Sequence, residues 1–268
     1  MPKKTLELIH GDAFEHMDTL DDNSVGMVFM DPPYGTTSCS WDSCVDLQRL
    51  WMVLNRIAKP GRAIVSTASQ PFTSVLVSSN IKRFKCEWIW LKNRSSNFGT
   101  AKWQPMKCHE SVLVFSSDGK KVLYNPIKQA RPESTTREIL AASPGEPSIG
   151  KDKSRSDPRT SCYQKGLVWQ GLHGHDPHWA NPKSTQPFKC DRGLHPTQKP
   201  VALAEYFIRT YSNPGDLVLD PFAGSGTTGV AAGLCDREAL LIEQDERYCE
   251  IARERMASPC QRKLLSST

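Results

Sequence analysis

The chain has 268 residues, of which 38% are hydrophobic, and its net charge is +5. This length is enough for one large α/β domain with an inserted lobe. No apolar run reaches the roughly 20 residues of a membrane-spanning helix, and the basic N-terminus lacks the apolar core of a signal peptide. The nine cysteines form no C-x-x-C pair, which indicates reduced thiols and predicts a cytoplasmic location.

Residues 1–117 alternate short apolar runs with helical patterns. Strands are predicted at 6–9, 25–30, 63–67, 84–91 and 111–115, and helices at 14–20, 47–58 and 73–79. Strands that alternate with helices are typical of a mostly parallel sheet that is covered on both faces.

Asp31-Pro32-Pro33-Tyr34, here named the catalytic turn, directly follows the predicted strand 25–30. In open α/β sheets, ligands bind at the carboxyl ends of the strands. Asp31 offers a carboxylate acceptor, the prolines leave carbonyl groups without N–H groups of their own, and Tyr34 offers an aromatic face for a base. The turn therefore predicts a site for a planar amino group, although the same residues are also typical of a rigid loop.

Residues 118–194 lose this alternation and are basic, with 13 lysines and arginines against 8 acidic residues. Their excess of five positive charges equals the net charge of the whole chain. A basic lobe beside a neutral body is typical of a polyanion-binding surface, and a solvated insertion is the plainer interpretation. The candidate nucleic-acid contacts outside the catalytic turn are Trp41 in the loop after Tyr34 and the basic residues Lys151, Lys153, Arg155 and Arg159.

Several potential metal ligands lie in the same region. Their spacing lacks the paired short intervals of structural zinc sites, and we predict no metal. The residues concerned are Cys162, His173, His175, His178 and Cys190.

Residues 195–268 regain the alternation, with predicted helices at 201–211, 226–234 and 246–256 and strands at 217–219 and 239–242. Residues 220–228 (DPFAGSGTT), here named the glycine turn, join a strand to a helix, where glycines permit close approach of a ligand and free N–H groups are available. Glu243 ends the next strand and is placed to accept hydrogen bonds from a ribose diol, or to pair with a helix N-terminus. Lys199 is a candidate partner for a ligand carboxylate.

Taken together, these motifs resemble those of the DNA amino-methyltransferases that use S-adenosylmethionine, in the permuted order of the β group. The resemblance includes His10-Gly11-Asp12-Ala13 and the residues 109–115 (HESVLVF) and 195–200 (HPTQKP). It implies an α/β fold, with a seven-stranded Rossmann-like methyltransferase sheet and an inserted target-recognition region. Residues 1–117 would be the catalytic half of that domain, 118–194 the target-recognition insertion, and 195–268 the cofactor-binding half.

The resemblance implies S-adenosylmethionine as the cofactor and assigns contacts to it. Asp12 would face its adenine amino group, Thr197 and Lys199 its carboxylate, Asp220 its ammonium group, and Glu243 its ribose. The residues implied for cofactor binding are Asp12, Asp31, Thr197, Lys199, Asp220, Phe222, Gly224, Gly226, Thr227 and Glu243.

The resemblance assigns the chemistry to Asp31, Pro32, Pro33 and Tyr34, which would hold a flipped-out base, and implies methylation of adenine N6. Cytosine N4 is the alternative, because its methyltransferases more often carry Ser in place of this Asp. An RNA methyltransferase and a catalytically idle DNA-binding module are less favoured. The expected partner is double-stranded DNA, with a homodimer and a cognate restriction endonuclease left open. The host would be a prokaryote or a phage-infected cell.

Overall fold

The structure, a computed structural model, describes residues 5–34, 45–134, 178–191 and 198–257. The chain divides into two compact units, one of residues Met1–Asn125 with Lys183–Thr268, and the other of residues Pro126–Pro182. The boundaries 117 and 194 drawn from the sequence stay a prediction.

The larger unit contains an eight-stranded sheet in the order β1-β10-β9-β2-β3-β5-β4-β8. Its strands are β1 (Leu6–His10), β2 (Met27–Met30), β3 (Ala63–Ala68), β4 (Phe84–Ser96), β5 (Lys107–Ser116), β8 (Thr185–Phe188), β9 (Leu217–Asp220) and β10 (Glu238–Glu243). The described helices are α1 (Ala13–Asp18), α2 (Leu47–Ile57), α3 (Phe72–Ser79), α4 (Val201–Tyr211), α5 (Thr227–Leu234) and α6 (Glu246–Ala257). In the smaller unit, β6 (Gln129–Ala130) pairs antiparallel with β7 (Trp179–Ala180).

All neighbouring strands of the large sheet are parallel except β5, which runs antiparallel to both β3 and β4. The mostly parallel α/β sheet is as expected. The count of seven strands is wrong, because β8 adds an eighth strand beside β4. The sequence of β8 is short and contains Pro187, a residue that sheets tolerate at their edges, so it carries no strong strand pattern.

Successive residues of β2 point to opposite faces of the sheet and enter two separate cores. Met27 and Phe29 pack with α4 and α5, whereas Val28 and Met30 pack with α1, α2 and α3. The prediction of a sheet covered on both faces is therefore confirmed. Trp88 and Trp90 of β4 are 5% and 3% exposed and belong to the first core.

The strand order reverses between β2 and β9, which are hydrogen-bonded neighbours. From β2 the chain continues through β3 on one side, and from β9 it continues through β10 on the other. Such a switch point opens a crevice at the carboxyl ends of the strands, where ligands bind. It brings the catalytic turn after β2 beside the glycine turn after β9, although almost two hundred residues separate them in the chain.

Strands β4 and β5 continue past the carboxyl edge of the sheet. Ser111 of β5 pairs with Ala68, the last residue of β3, so the earlier residues of β5 extend beyond β3. We name residues 91–107 the hairpin extension; it includes a short 3₁₀ helix at Phe98–Thr100. The pattern-based strand limits of 91 and 111 missed this extension because most of its residues are polar and none of them is buried.

Candidate active site

Asp31 lies at the carboxyl end of β2 and is held by three donors from separate parts of the chain. Its Oδ1 accepts hydrogen bonds from the Tyr34 hydroxyl, at 2.6 Å, and from the Thr67 hydroxyl. Its Oδ2 accepts one from Lys199 Nζ at 2.5 Å. Since a carboxylate has about four lone-pair positions, Oδ2 retains one for a further donor. The side chain is 25% exposed, so that position can be reached from outside.

The ring of Tyr34 stacks on Phe72, with ring centroids 5.0 Å apart and planes at 23°. Burial, together with the charge of Asp31, raises the pKa of Tyr34 well above its ordinary value. The hydroxyl therefore keeps its proton and acts as a hydrogen-bond donor to Asp31. Tyr34 thus has a task in orienting the carboxylate, in addition to the base stacking predicted from the sequence.

Lys199 lies just before α4 and is 8% exposed. Its Nζ is 2.5 Å from Asp31 Oδ2 and 3.6 Å from Glu110 Oε2. Glu110 also accepts a hydrogen bond from Lys92 through Oε1. Burial alone would lower the pKa of Lys199, but the carboxylates of Asp31 and Glu110 outweigh it and raise the pKa, so Lys199 is an ammonium ion.

Sequence reasoning missed three residues of this cluster, namely Thr67, Glu110 and Lys92. The available signal for Thr67 was its place at the polar end of the apolar run 63–68, because parallel pairing of Met30 with Ser66 sets Thr67 beside Asp31. Glu110 belongs to a motif of the resembled family but had received no role. Lys92 gave no signal in the sequence.

Asp220 ends β9 and is 4% exposed. Its Oδ1 accepts a hydrogen bond from the Phe222 N–H at 3.0 Å, and its Oδ2 accepts one from the Thr228 hydroxyl. Within the described ranges, none of the ion pairs includes Asp220. Burial raises the pKa of Asp220 to about 7. The carboxyl group is therefore suited to a cationic partner, which would stabilise its ionised form.

The two glycines of the glycine turn have different surroundings. Both have a left-handed backbone, with φ of +50° at Gly224 and +78° at Gly226. A Cβ atom at Gly226 would lie 2.7 Å from Cβ of Ala252, whereas one at Gly224 would meet no atom within 4 Å. Gly226 therefore permits α6 to pack against the turn, and Gly224 faces open space that a ligand could enter.

Glu243, at the carboxyl end of β10, ties neighbouring loops together. Its Oε2 accepts from the Gly224 N–H at 2.6 Å, its Oε1 accepts from the Asp245 N–H at 2.8 Å, and its carbonyl accepts from the Gly11 N–H at 2.9 Å. Asp12, which follows Gly11, caps α1 by accepting from two backbone N–H groups through Oδ1. Both acidic residues thus hold the loops in place, and each keeps lone pairs for a ligand.

A sequence profile of the family described as DNA methylase, whose members modify amino groups at N6 or N4, matches residues 25–254. The matched part covers both turns and most of the chain. The chain belongs to this DNA methylase family. The resemblance read from the motifs is therefore confirmed.

Two curated relatives align with almost the whole methylase. The type II methyltransferase M.HpaI of Haemophilus parainfluenzae is 27% identical over 263 residues, which cover 94% of this chain and 74% of that protein. The DNA adenine methyltransferase YhdJ of Escherichia coli K12 is 28% identical over 263 residues, covering 93% of this chain and 82% of that protein.

Solved structures share the fold of the methylase. The M1.HpyAVI–SAM complex has a TM-score of 0.61 at 22% identity and covers 94% of this chain and 100% of that chain. The cytosine-N4-specific PvuII DNA methyltransferase has a TM-score of 0.62 at 16% identity and covers 99% of this chain and 94% of that chain. The α/β methyltransferase fold expected from the motifs is therefore confirmed.

Six predicted site residues lie outside the described parts of the methylase, and their roles stay predictions: Trp41, Lys151, Lys153, Arg155, Arg159 and Thr197. Cys162, His173 and His175 lie outside them as well. Within the described parts, no group of three or more His, Cys, Asp or Glu is placed to hold a metal ion. No helix there is long and apolar enough to cross a membrane.

Proposed function

We propose that this methylase is a site-specific DNA methyltransferase that moves a methyl group from S-adenosylmethionine to N6 of adenine in a flipped-out base. The observation that carries the proposal is the placement of Asp31. Its carboxylate is fixed at the switch point of the sheet, next to the glycine turn, and one lone-pair position of Oδ2 is left for a donor.

The residues around the glycine turn fit the chemical groups of S-adenosylmethionine. Asp220 is a buried carboxyl group that favours a cationic partner, in keeping with the cofactor's ammonium group. Gly224 leaves room for close approach, and Glu243 offers acceptors for a ribose diol. Phe222, Thr227 and Asp12 complete the proposed pocket, and M1.HpyAVI, a protein of the same fold, has been solved with this cofactor.

An exocyclic amino nitrogen is a poor nucleophile because its lone pair is delocalised into the ring. The carboxylate of Asp31 and the carbonyl of Pro32 would accept its two hydrogens and favour a tetrahedral nitrogen. Pro33 keeps the turn rigid, and Tyr34 would stack on the base. When bound, S-adenosylmethionine supplies the activated methyl group. Asp31 or water then takes the proton that the methylated nitrogen releases.

The hairpin extension supports a nucleic-acid substrate at this edge of the sheet. Its apolar side chains are unusually exposed, with Phe98 at 72% and Trp103 at 80%. The extension carries no acidic residue and four basic ones. Lys92 is paired with Glu110, so the positive charges considered for a nucleic acid are those of Arg94, Lys102 and Lys107. Aromatic rings interleaved with positive charges suit contact with bases and phosphates, and a target base must leave the duplex to reach Asp31.

A DNA-binding assay tests the hairpin extension. We expect Trp103→Ala to weaken duplex binding by about tenfold, since one stacking contact contributes about 1–3 kcal/mol. Met52→Ala is the matched control, because Met52 is 67% exposed but lies on α2. Equal affinities of the two variants for duplex DNA would show that the hairpin extension does not contact DNA.

Adenine is favoured over cytosine because YhdJ, a relative aligned over nearly the whole chain, is an adenine methyltransferase. Cytosine N4 remains the second candidate, since a cytosine-N4-specific enzyme shares the fold. Incubation with S-adenosylmethionine and duplex DNA, followed by mass spectrometry of the nucleosides, separates the two. The proposal requires N6-methyladenine; N4-methylcytosine would establish the alternative, and methylation of RNA alone would contradict both.

The partners and the cellular location are part of the proposal. M.HpaI is a type II methyltransferase, which supports a restriction endonuclease as a companion of this methylase. A second copy of the chain is a further candidate partner. We place the enzyme in the cytoplasm of a prokaryote, where its DNA substrate lies.

A further inference from the structure

Four charges of alternating sign form a chain that ends at the predicted catalytic carboxylate. Asp31 contacts Lys199, Lys199 faces Glu110, and Glu110 contacts Lys92. The side chains of the last three are only 9–15% exposed. They come from three elements: the segment before α4, β5 and β4. The chain of charges is thus assembled by the tertiary fold.

Stability does not account for such an arrangement. The cost of removing charges from water largely offsets the attraction of a buried ion pair, and well-packed apolar residues often replace one without loss. Glu110 Oε2 is also buried without a hydrogen-bond partner in the described parts of the chain, with Lys199 Nζ 3.6 Å away. At this distance the oxygen acts on Lys199 through its charge, whereas Asp31 accepts a hydrogen bond from the ammonium group.

The contact with Lys199 fixes the orientation of Asp31 Oδ2, the oxygen that keeps a lone-pair position for the target amino group. A lysine stem is flexible, and a ligand carboxylate or phosphate would attract its ammonium group. The charge of Glu110 opposes that displacement.

We propose that Lys199 and Glu110 are positioning residues, with Glu110 acting through Lys199 to hold the Asp31 carboxylate aimed at the target amino group. This inference rests on the proposed function. It differs from the sequence-based assignment of Lys199 to the cofactor carboxylate, because the observed contacts of the ammonium group are with Asp31 and Glu110.

The first test is Glu110→Gln, which keeps the shape of the side chain and removes its charge. We expect the single-turnover rate, at saturating DNA and S-adenosylmethionine, to fall by about 10-fold to 100-fold, as for a misplaced reacting group. The dissociation constants of DNA and cofactor stay within about threefold of wild type. The matched control is Glu87→Gln on β4, whose carboxylate accepts from Ser111 at 2.6 Å; its rate stays at the wild-type value. A wild-type rate for Glu110→Gln would contradict the proposal.

The second test separates the two roles of Lys199. Lys199→Met loses the charge, and we expect its single-turnover rate to fall by about 100-fold or more, while Lys199→Arg restores part of it. The affinities for S-adenosylhomocysteine and for 5′-methylthioadenosine, which lacks the amino-acid part, stay in their wild-type ratio. Lys199→Met could instead lose only the preference for S-adenosylhomocysteine and keep a normal rate at saturation. That result would show that Lys199 binds the cofactor carboxylate and does not position Asp31.

The positioning role of Lys199 and Glu110 and the proposed methyltransferase function can be refuted separately. If the wild-type protein methylates no nucleic acid, the proposed function fails before any variant is compared. If the wild type is active and Glu110→Gln matches Glu87→Gln, only the positioning role fails. Thermal melting of each variant shows that it is folded, and a change of rate without a change of affinity is not expected from a general loss of structure.

Discussion

Asp31 and Asp220 occupy equivalent places in the sheet and have opposite surroundings. Each lies at the carboxyl end of one of two neighbouring strands, and each is followed by proline. Asp31 is partly exposed and contacts the Lys199 ammonium at 2.5 Å. Asp220 is buried, accepts only uncharged donors among the described contacts, and has a pKa raised to about 7 by that burial.

Their position in the fold makes both aspartates candidates for a site. The presence or absence of a neighbouring cation gives them different binding properties. A carboxylate already paired with a cation can accept a hydrogen bond from an uncharged amino group. A buried carboxyl group without a cation gains most from a ligand that brings one. The first description suits the target base, and the second suits the ammonium group of the cofactor.

The largest expected effect concerns the aspartate of the catalytic turn. We expect Asp31→Asn to lower the single-turnover rate by about 10³-fold or more, because a charged acceptor for the developing positive charge is lost. Asp46→Asn is the control, since Asp46 caps α2 and Asn caps helices equally well. Substantial turnover by Asp31→Asn, measured in a rapid-quench assay, would show that methyl transfer does not require Asp31.

The next effect concerns the loss of stability when either glycine of the glycine turn is replaced by alanine. Gly226→Ala adds a Cβ atom against Ala252 and strains a left-handed backbone, so we expect a loss of about 2–4 kcal/mol in the free energy of unfolding. Gly224→Ala meets no atom, and the backbone strain of about 1–2 kcal/mol is its main cost. Urea denaturation of the two variants measures the difference. Equal losses would mean that packing of α6 does not require Gly226.

Tyr34 allows the ring and the hydroxyl of the catalytic turn to be separated. Tyr34→Phe removes one donor from Asp31, and we expect a loss of about tenfold in the single-turnover rate. Tyr34→Ala removes the stacking face as well and loses more. Equal rates for the two variants would argue against stacking on the base, and a wild-type rate for Tyr34→Phe would show that the hydroxyl does not orient Asp31.

A further effect is a pH dependence of the affinity for S-adenosylmethionine, which we assign to Asp220. A cationic ligand binds the ionised form, so the affinity for S-adenosylmethionine rises with pH as the proton with a pKa of about 7 is released. We expect an increase of about tenfold between pH 5.5 and 7.5. Isothermal titration calorimetry measures it, and Asp220→Asn abolishes it. A pH-independent affinity in the wild-type protein would contradict the role of Asp220.

The same proton affects stability in the protein without cofactor. The folded state holds the proton of Asp220 up to a pH of about 7, whereas an unfolded aspartate releases it near its ordinary value. This contribution to stability is therefore complete below the unfolded pKa and is lost as the pH rises through 7. Thermal melts of wild type and Asp220→Asn should converge at low pH and separate at high pH, with the variant the more stable.

Most of the fold could be predicted because its signals are local. Apolar runs such as the predicted strand 63–67 mark elements without reference to the rest of the chain. The edge strand β8 and the hairpin extension were missed for a physical reason: their pairing is with distant segments, and their side chains are largely exposed. A strand that buries little apolar surface leaves little pattern in the sequence.

The candidate site was predictable where it depends on backbone chemistry and less so where it depends on side chains meeting in space. The catalytic turn and the glycine turn carry their own proline and glycine signatures. The contact of Lys199 with Asp31 joins segments that are 168 positions apart, and no local pattern announces it. The same applies to Gly226, which must lack a side chain because α6 packs against it.

The division of work between the two aspartates can be measured by comparing Asp31→Asn and Asp220→Asn side by side at pH 7.5. For each variant, equilibrium binding yields the dissociation constant of S-adenosylmethionine, and a rapid-quench assay yields the single-turnover rate at saturating cofactor. We predict that Asp31→Asn keeps the cofactor affinity within about threefold and loses the rate, whereas Asp220→Asn weakens the affinity by about tenfold or more and keeps most of the rate. The same pattern in both variants would contradict it.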